Sequence, residues 1–218
     1  MLYLGMSVFN QLMIGSGVCW TLTYLLIIRR GIIDLTYGMP AAALLANLSW
    51  ETIYSFIYPH SMPQLVVDRV WFTFDVLILL QYLRFGPPVP KVMMAGSFYL
   101  QFLLGFVVTF TLVLLLGQEL KDANGAYAAF GQNLMMSVLF VMMLNHRKSI
   151  AGQSIYIAIF KMLGTLLASV AFYTQTKTYS HSPLLQFLFV AILVYDVVYI
   201  FMLARQLRRQ RVGVFGRF

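Results

Sequence analysis

Seven stretches of about 20 mainly apolar residues, long enough to cross a bilayer as helices, occupy positions 4–28, 37–57, 65–83, 92–116, 126–144, 150–172 and 184–203 of a 218-residue chain. In hydrocarbon every backbone N–H and C=O must find its partner inside the protein, so runs of this kind are confined to helices. Short polar punctuation separates them: Gly31, Pro59 and Pro63, the Gly86-Pro87-Pro88 run, and Asn124-Gly125. Ser182-Pro183 opens the last run with proline at a first-turn position that tolerates it. The expected fold is all-α, one seven-transmembrane-helix bundle over residues 1–218. Its loops are too short for a second domain, and no internal repeat is visible.

Loop cations orient that bundle. Arg29, Arg30, Arg84, Lys91, Arg147, Lys148, Arg205, Arg208, Arg209, Arg211 and Arg217 fall on one side, and Arg69, Lys121 and Lys177 on the other. Such a bias places the carboxyl end in the cytoplasm and the amino end outside. The first run has no cationic segment before it and two arginines after it, which predicts a retained helix rather than a cleaved signal. Apolar residues make up 61% of the chain and charged ones only 10%, which excludes an ordinary soluble domain. The formal charge of +8 does not point to nucleic acid, because the cations cluster in loops and tail rather than on a face interleaved with stacking aromatics. Lipid headgroups and the positive-inside bias account for them. Cys19 is the single cysteine, so an internal disulfide is impossible and the redox compartment is unreadable.

Ionisable groups at bilayer depth are costly and usually mark function. Three of the chain's seven carboxylates, Glu51, Asp75 and Asp196, fall inside the apolar runs. At about 1.5 Å per residue they lie roughly 10, 15 and 18 Å below the outer boundary, a spread that predicts a shared polar cavity. At close quarters they cannot all be ionised. Helical spacing puts Asn47, Glu51, Tyr54 and Tyr58 on one stripe of the second run. Gln64, Asp68, Trp71, Asp75 and Tyr82 form a comparable stripe on the third, and Asp196 with Tyr199 faces inward from the last. Trp50, Tyr54, Trp71 and Tyr199 are candidates for a pocket wall whose π-faces steady cations. The plainer readings are that Asp68, beside Arg69 near a helix start, serves the helix dipole, and that Lys161 bridges Asp75 or Asp196. Asp75 stays open between structure and function.

His60, His146 and His181 lie far apart in loops, without the spacing of metal ligands, so neither a metal nor another cofactor is expected. A phosphate-cradling glycine loop and a paired acidic cluster for magnesium diphosphate are missing as well. Any chemistry must run on carboxyls, amides, phenols and aromatic walls.

Two segments carry a resemblance. They are Asp34-Leu35-Thr36-Tyr37-Gly38-Met39-Pro40 and Asn47-Leu48-Ser49-Trp50-Glu51-Thr52-Ile53-Tyr54-Ser55-Phe56-Ile57-Tyr58-Pro59. Together they resemble the small membrane-integral terpene cyclases of indole-diterpene and meroterpenoid biosynthesis. The run count, the length and the late Asp196 extend the likeness in outline, and the segment around Lys161 and Gly164 more loosely. The resemblance implies a prenyl chain on an aromatic or heterocyclic core as substrate, cyclised after protonation of a terminal epoxide or alkene. It further implies Glu51 and Asp196 as catalytic acids, with Asn47, Trp50 and Tyr54 around the first. Tyr58, Trp71, Asp75 and Tyr199 are further candidate substrate contacts, and Tyr54, Tyr199 and Asp75 are candidates for the base that ends the cascade.

Physical chemistry leaves both triggers open. Ring strain eases epoxide opening, whereas an alkene demands a stronger acid. The same intramembrane carboxyls would also suit a proton-coupled small-solute transporter, although repeats and helices broken at the midplane are not visible. A seven-helix receptor or scaffold fits less well, given the short loops and the single cysteine. A bacterial inner membrane and the eukaryotic endoplasmic reticulum are equally compatible with the composition, and the oligomeric state is unreadable.

Overall fold

The computed structural model describes residues 7–86 and 95–218 of the chain, with residues 95–98 described by their backbone alone. The described residues hold seven α-helices and no strand: α1 Val8–Ile33, α2 Ala41–Thr52, α3 Gln64–Phe85, α4 Ala95–Glu119, α5 Ala126–Arg147, α6 Ile155–Gln175 and α7 Pro183–Arg209. A π-helical turn, Ile53–Ile57, extends α2. The starts of the expected runs at 4–28 and 92–116 lie outside the described residues, as do Pro87, Pro88 and Lys91.

Five helices are long and apolar enough to cross a membrane: α1, α4 (counted over Tyr99–Glu119), α5, α6 and α7. The two that fall short have clear reasons. Asp68, Arg69, Asp75 and Arg84 interrupt α3, and α2 spans only 12 residues before its π-helical turn. Every side chain from Ala43 to Glu51 is buried, so α2 is surrounded by protein on all faces. It packs against α3, α4 and α5, while α1 lies along α6, and α5 and α6 pack on α7. Leu103, Leu104, Val107 and Val108 leave an apolar face of α4 exposed, as a helix bordering lipid requires.

The two ends of the bundle are tied differently. At one end Asp34 accepts from Arg30, from Arg217 of the tail, and from the Gly152 N–H at 2.7 Å. There Arg147 donates to the Tyr37 and Ala151 carbonyls, both at 3.0 Å, with its guanidinium 3.8 Å from the Tyr37 ring centroid. The Asp34-to-Pro40 half of the motif is therefore a structural clasp. At the other end Gly125 starts α5 at φ 61°, a left-handed conformation natural to glycine. A Cβ there would lie 2.4 Å from the Tyr54 ring.

Candidate active site

The site starts from one helix register. Asn47, Trp50 and Glu51 sit within about 1.5 turns of α2, and the first two are fixed from different sides. The Asn47 amide donates to the Tyr24 hydroxyl at 2.8 Å. Trp50 donates its indole N–H to the Gly125 carbonyl at 3.0 Å. Glu51 is buried, yet its Oε2 finds no hydrogen-bond partner in the protein. A polar atom left unmatched out of water is costly, and it is tolerated where it has a use.

Glu51 borders a cavity of about 850 Å³ enclosed by α1, α2, α3, α5 and α6. That volume lies in the upper part of the range for small-molecule sites, about 300–1,000 Å³. The chain's three tryptophans, Trp20, Trp50 and Trp71, all line it. Trp71 donates to the Thr21 hydroxyl at 3.1 Å, and its ring lies 6.1 Å from Tyr24. Trp20 comes close to α6 because position 164 is glycine, where a Cβ would stand 2.7 Å from the indole. On the α5 wall two amide oxygens, Gln132 Oε1 and Asn133 Oδ1, lack partners in the protein. Asn133 donates to the Thr165 hydroxyl at 2.7 Å.

One side of the cavity is open. Ile14 and Val18 on α1, and Val66 and Val70 on α3, line it and are also exposed. Trp71–Thr21 joins the two helices just beyond these residues, and the Gln81 amide on the Ile28 carbonyl at 2.7 Å joins them further along. Between the Val66 end of α3 and α1 the cavity therefore faces the surroundings of the bundle with apolar side chains. Asn124 and Tyr179 stand at the same end, and the Tyr179 hydroxyl donates to Asp122 at 2.7 Å. Burial and then that bond hold this phenol above its usual range, so it remains a donor at neutral pH.

The predicted site residues divide. Asn47, Trp50, Glu51 and Trp71 line the cavity. Tyr54 is buried beside it, its hydroxyl toward the Asp122 carbonyl at 3.5 Å. Tyr58 is exposed, because the π-helical turn adds a residue and breaks the α-helical stripe assumed for it. Asp75 is fully buried outside the cavity wall. Its neighbour is the Tyr24 hydroxyl, but neither Asp75 oxygen completes a hydrogen bond of good geometry. Tyr199 also lies off the cavity and donates to Gln153 at 2.8 Å. Asp196 is paired with Lys161 at 2.8 Å, and Lys161 donates to the Ser137 hydroxyl at 2.6 Å. The expected bridge from Lys161 thus goes to Asp196. The carboxyls do not meet in one chamber: Glu51 lines the cavity, Asp75 is buried off its wall, and Asp196 belongs to a separate buried pair.

Asp68 departs from the helix-dipole reading. It is fully buried, bonded to His60 Nδ1 at 2.8 Å and to the Gln64 amide at 2.7 Å, while Arg69 lies over the Phe56 ring. Sequence reasoning missed His60, Trp20 and Tyr24 as cavity residues. The spacing of Trp20 and Tyr24, one turn apart on α1 with Thr21 between them, was a usable signal. His60 gave none, because only the chain's return after Pro59 brings it over the cavity.

The family model of the Pyr4-like transmembrane terpene cyclases matches residues 2–209. The chain belongs to this family. Among its relatives is the Pyr4-family terpene cyclase mfmH of Annulohypoxylon moriforme, 30% identical over 91% of this chain and 86% of that one. The terpene cyclase macJ of Penicillium terrestre is 27% identical over 84% and 76% of the two chains. The terpene cyclase atmB of Aspergillus flavus is 29% identical over 85% and 81%. No solved structure matches. For a Pyr4-like chain with five long apolar helices, a multi-pass membrane location follows.

Proposed function

We propose that this protein is a membrane-bound terpene cyclase that protonates the end of a prenyl chain carried on an aromatic or heterocyclic core and guides the resulting cation through polycyclisation. The observation that carries this reading is Glu51, an unpartnered carboxyl on the wall of an 850 Å³ cavity lined by three tryptophans. A carboxyl kept uncharged in apolar surroundings can donate a proton at neutral pH. Exclusion of water protects the cation from capture, and the indole faces disperse its charge. Gln132 Oε1 and Asn133 Oδ1 are suited to accept an N–H or O–H from the polar core.

A terminal epoxide is the trigger we favour. Among the described residues no lysine or arginine pairs with Glu51. The acid thus has no adjacent positive charge to strengthen it for an alkene, whereas a strained epoxide oxygen demands less. No step in this scheme calls on a metal. We assign Asp196 a positioning role: it holds Lys161, whose ammonium lies 5.9 Å from the Trp20 ring centroid.

The gap between α1 and α3 suits lateral access for a prenylated substrate from the bilayer. We further read all seven helices as spanning, with α2 and α3 shielded by the others, the amino end outside and the carboxyl end cytoplasmic. Contacts of the tail with Asp34 and Gln153 support that sidedness, because they gather the arginine-rich tail with the α1–α2 and α5–α6 connections. Fungal relatives favour the endoplasmic reticulum. The test is to incubate membranes bearing the protein with farnesylated phenols and geranylgeranylated indoles, each with and without a terminal epoxide. Cyclised product from the epoxides, lost in Glu51→Gln with the protein still folded, is expected. Full cyclisation by that variant would overturn the assignment.

A further inference from the structure

The cascade must end as well as begin, and the three residues first considered for that task, Tyr54, Tyr199 and Asp75, all lie off the cavity wall. The titratable side chains that do line it are Glu51, Tyr24, Tyr179 and His60. Glu51 is spent as the donor. The Tyr24 oxygen is engaged by Asn47, and Tyr179 donates to Asp122. His60 is left.

We propose that His60 is the base that terminates cyclisation, with Asp68 as its positioning residue. The inference rests on the cyclase reading given above. The imidazole is held in place on several sides. Its Nδ1 meets Asp68 Oδ2 at 2.8 Å, its ring is stacked on Tyr54 at 4.8 Å with 6° between planes, and Trp50 lies 5.7 Å away. The His60 N–H bonds to the Tyr54 carbonyl at 3.2 Å, which fixes the backbone below it. Asp68 is itself anchored by Gln64 and shut away from solvent. A carboxylate at Nδ1 keeps the hydrogen there and leaves the Nε2 lone pair free, and it also stabilises the imidazolium that forms. Nε2 has no hydrogen-bond partner in the protein, among the described residues.

The proton count closes. At the start the Glu51 hydrogen passes to the epoxide oxygen, the C–O bond breaks, and an alkene π pair makes the first ring bond. At the end a carbon next to the last cation gives its hydrogen to Nε2, and the C–H pair becomes a new C=C bond. Imidazolium and Glu51 carboxylate then exchange that proton, and both groups are restored. The reaction is an isomerisation that consumes no external acid. Trp50, the neighbour of Glu51 in the chain, lies 5.7 Å from the His60 ring, which places donor and acceptor on neighbouring parts of the wall.

The test compares wild type, His60→Ala, His60→Gln and Asp68→Asn in membranes. The probes are a terminally epoxidised farnesyl phenol and a terminally epoxidised geranylgeranyl indole, with consumption and product identity read separately. Substrate consumption by His60→Ala should fall by less than about tenfold, because the barrier lies in protonation. The native product's share should fall by about tenfold or more, replaced by alkene isomers and water-captured alcohols. Added imidazole should restore the native product in His60→Ala. His60→Gln, whose amide can still donate to Asp68, should show the same product shift if His60→Ala misfolds. An unchanged product pattern in both His60 variants, at any rate of consumption, would overturn the proposal. If wild type cyclises neither probe and Glu51→Gln changes nothing, the cyclase reading fails first and takes this one with it.

Discussion

Glu51 and Asp196 are both carboxyls buried in apolar helices, and they end in opposite circumstances. Each leaves one oxygen without a partner, but Glu51 borders a cavity and pairs with no cation, whereas Asp196 holds Lys161 at 2.8 Å and borders only a crevice. The resemblance named both as acids. On the function proposed here, their surroundings separate a proton donor from a counter-charge to Lys161. Burial and an unmatched oxygen are shared by Glu51, Asp75 and Asp196; the open volume beside it is what sets Glu51 apart as the proposed acid.

The largest expected effect probes that contrast directly. Glu51→Gln should lower cyclisation by about 10²–10⁴-fold, the usual contribution of a positioned acid, while thermal unfolding in detergent stays unchanged or rises slightly. Asp196→Ala should instead cost about 3–5 kcal/mol of stability by leaving Lys161 buried and unpaired. The double variant Lys161→Met/Asp196→Leu should recover most of that loss. Product formation by the double variant would keep Asp196 out of the proton transfer. A folded but inactive double variant would break the comparison and return Asp196 to the chemistry.

Smaller effects sharpen it. Trp71→Leu removes one π-face and should weaken cation stabilisation by about 0.5–2 kcal/mol, or roughly 2- to 30-fold in rate, with more water-captured product. Tyr199→Phe deletes the bond to Gln153 and should reduce stability by about 1 kcal/mol without altering products. Tyr58→Phe, at an exposed position, should change stability by no more than about 0.5 kcal/mol. A product change in either tyrosine variant would extend the cavity beyond the walls described.

Much of this was legible in the residues. Apolar runs give the helices because lipid leaves backbone groups no other partner, and the observed bounds of α5 and α7 begin within a residue of expectation. The spacing that puts Asn47, Glu51, Tyr54 and Tyr58 on one stripe holds for Asn47 and Glu51, which line the cavity, while Tyr54 is buried beside it. The stripe failed at Tyr58, where a π-helical turn altered the period. It also failed for Asp75 and Tyr199, whose faces point inward but not into the same space.

Sequence alone determined the helical class and the membrane setting, and it singled out Glu51 as the acid to test, since apolar length and local motifs are properties of neighbours along the chain. Only the tertiary structure decided which inward face borders a hollow, which carboxyl receives the lysine, and that His60 stands over the site. Those outcomes depend on how helices far apart in sequence cross and part, and periodicity on a single helix carries no record of it.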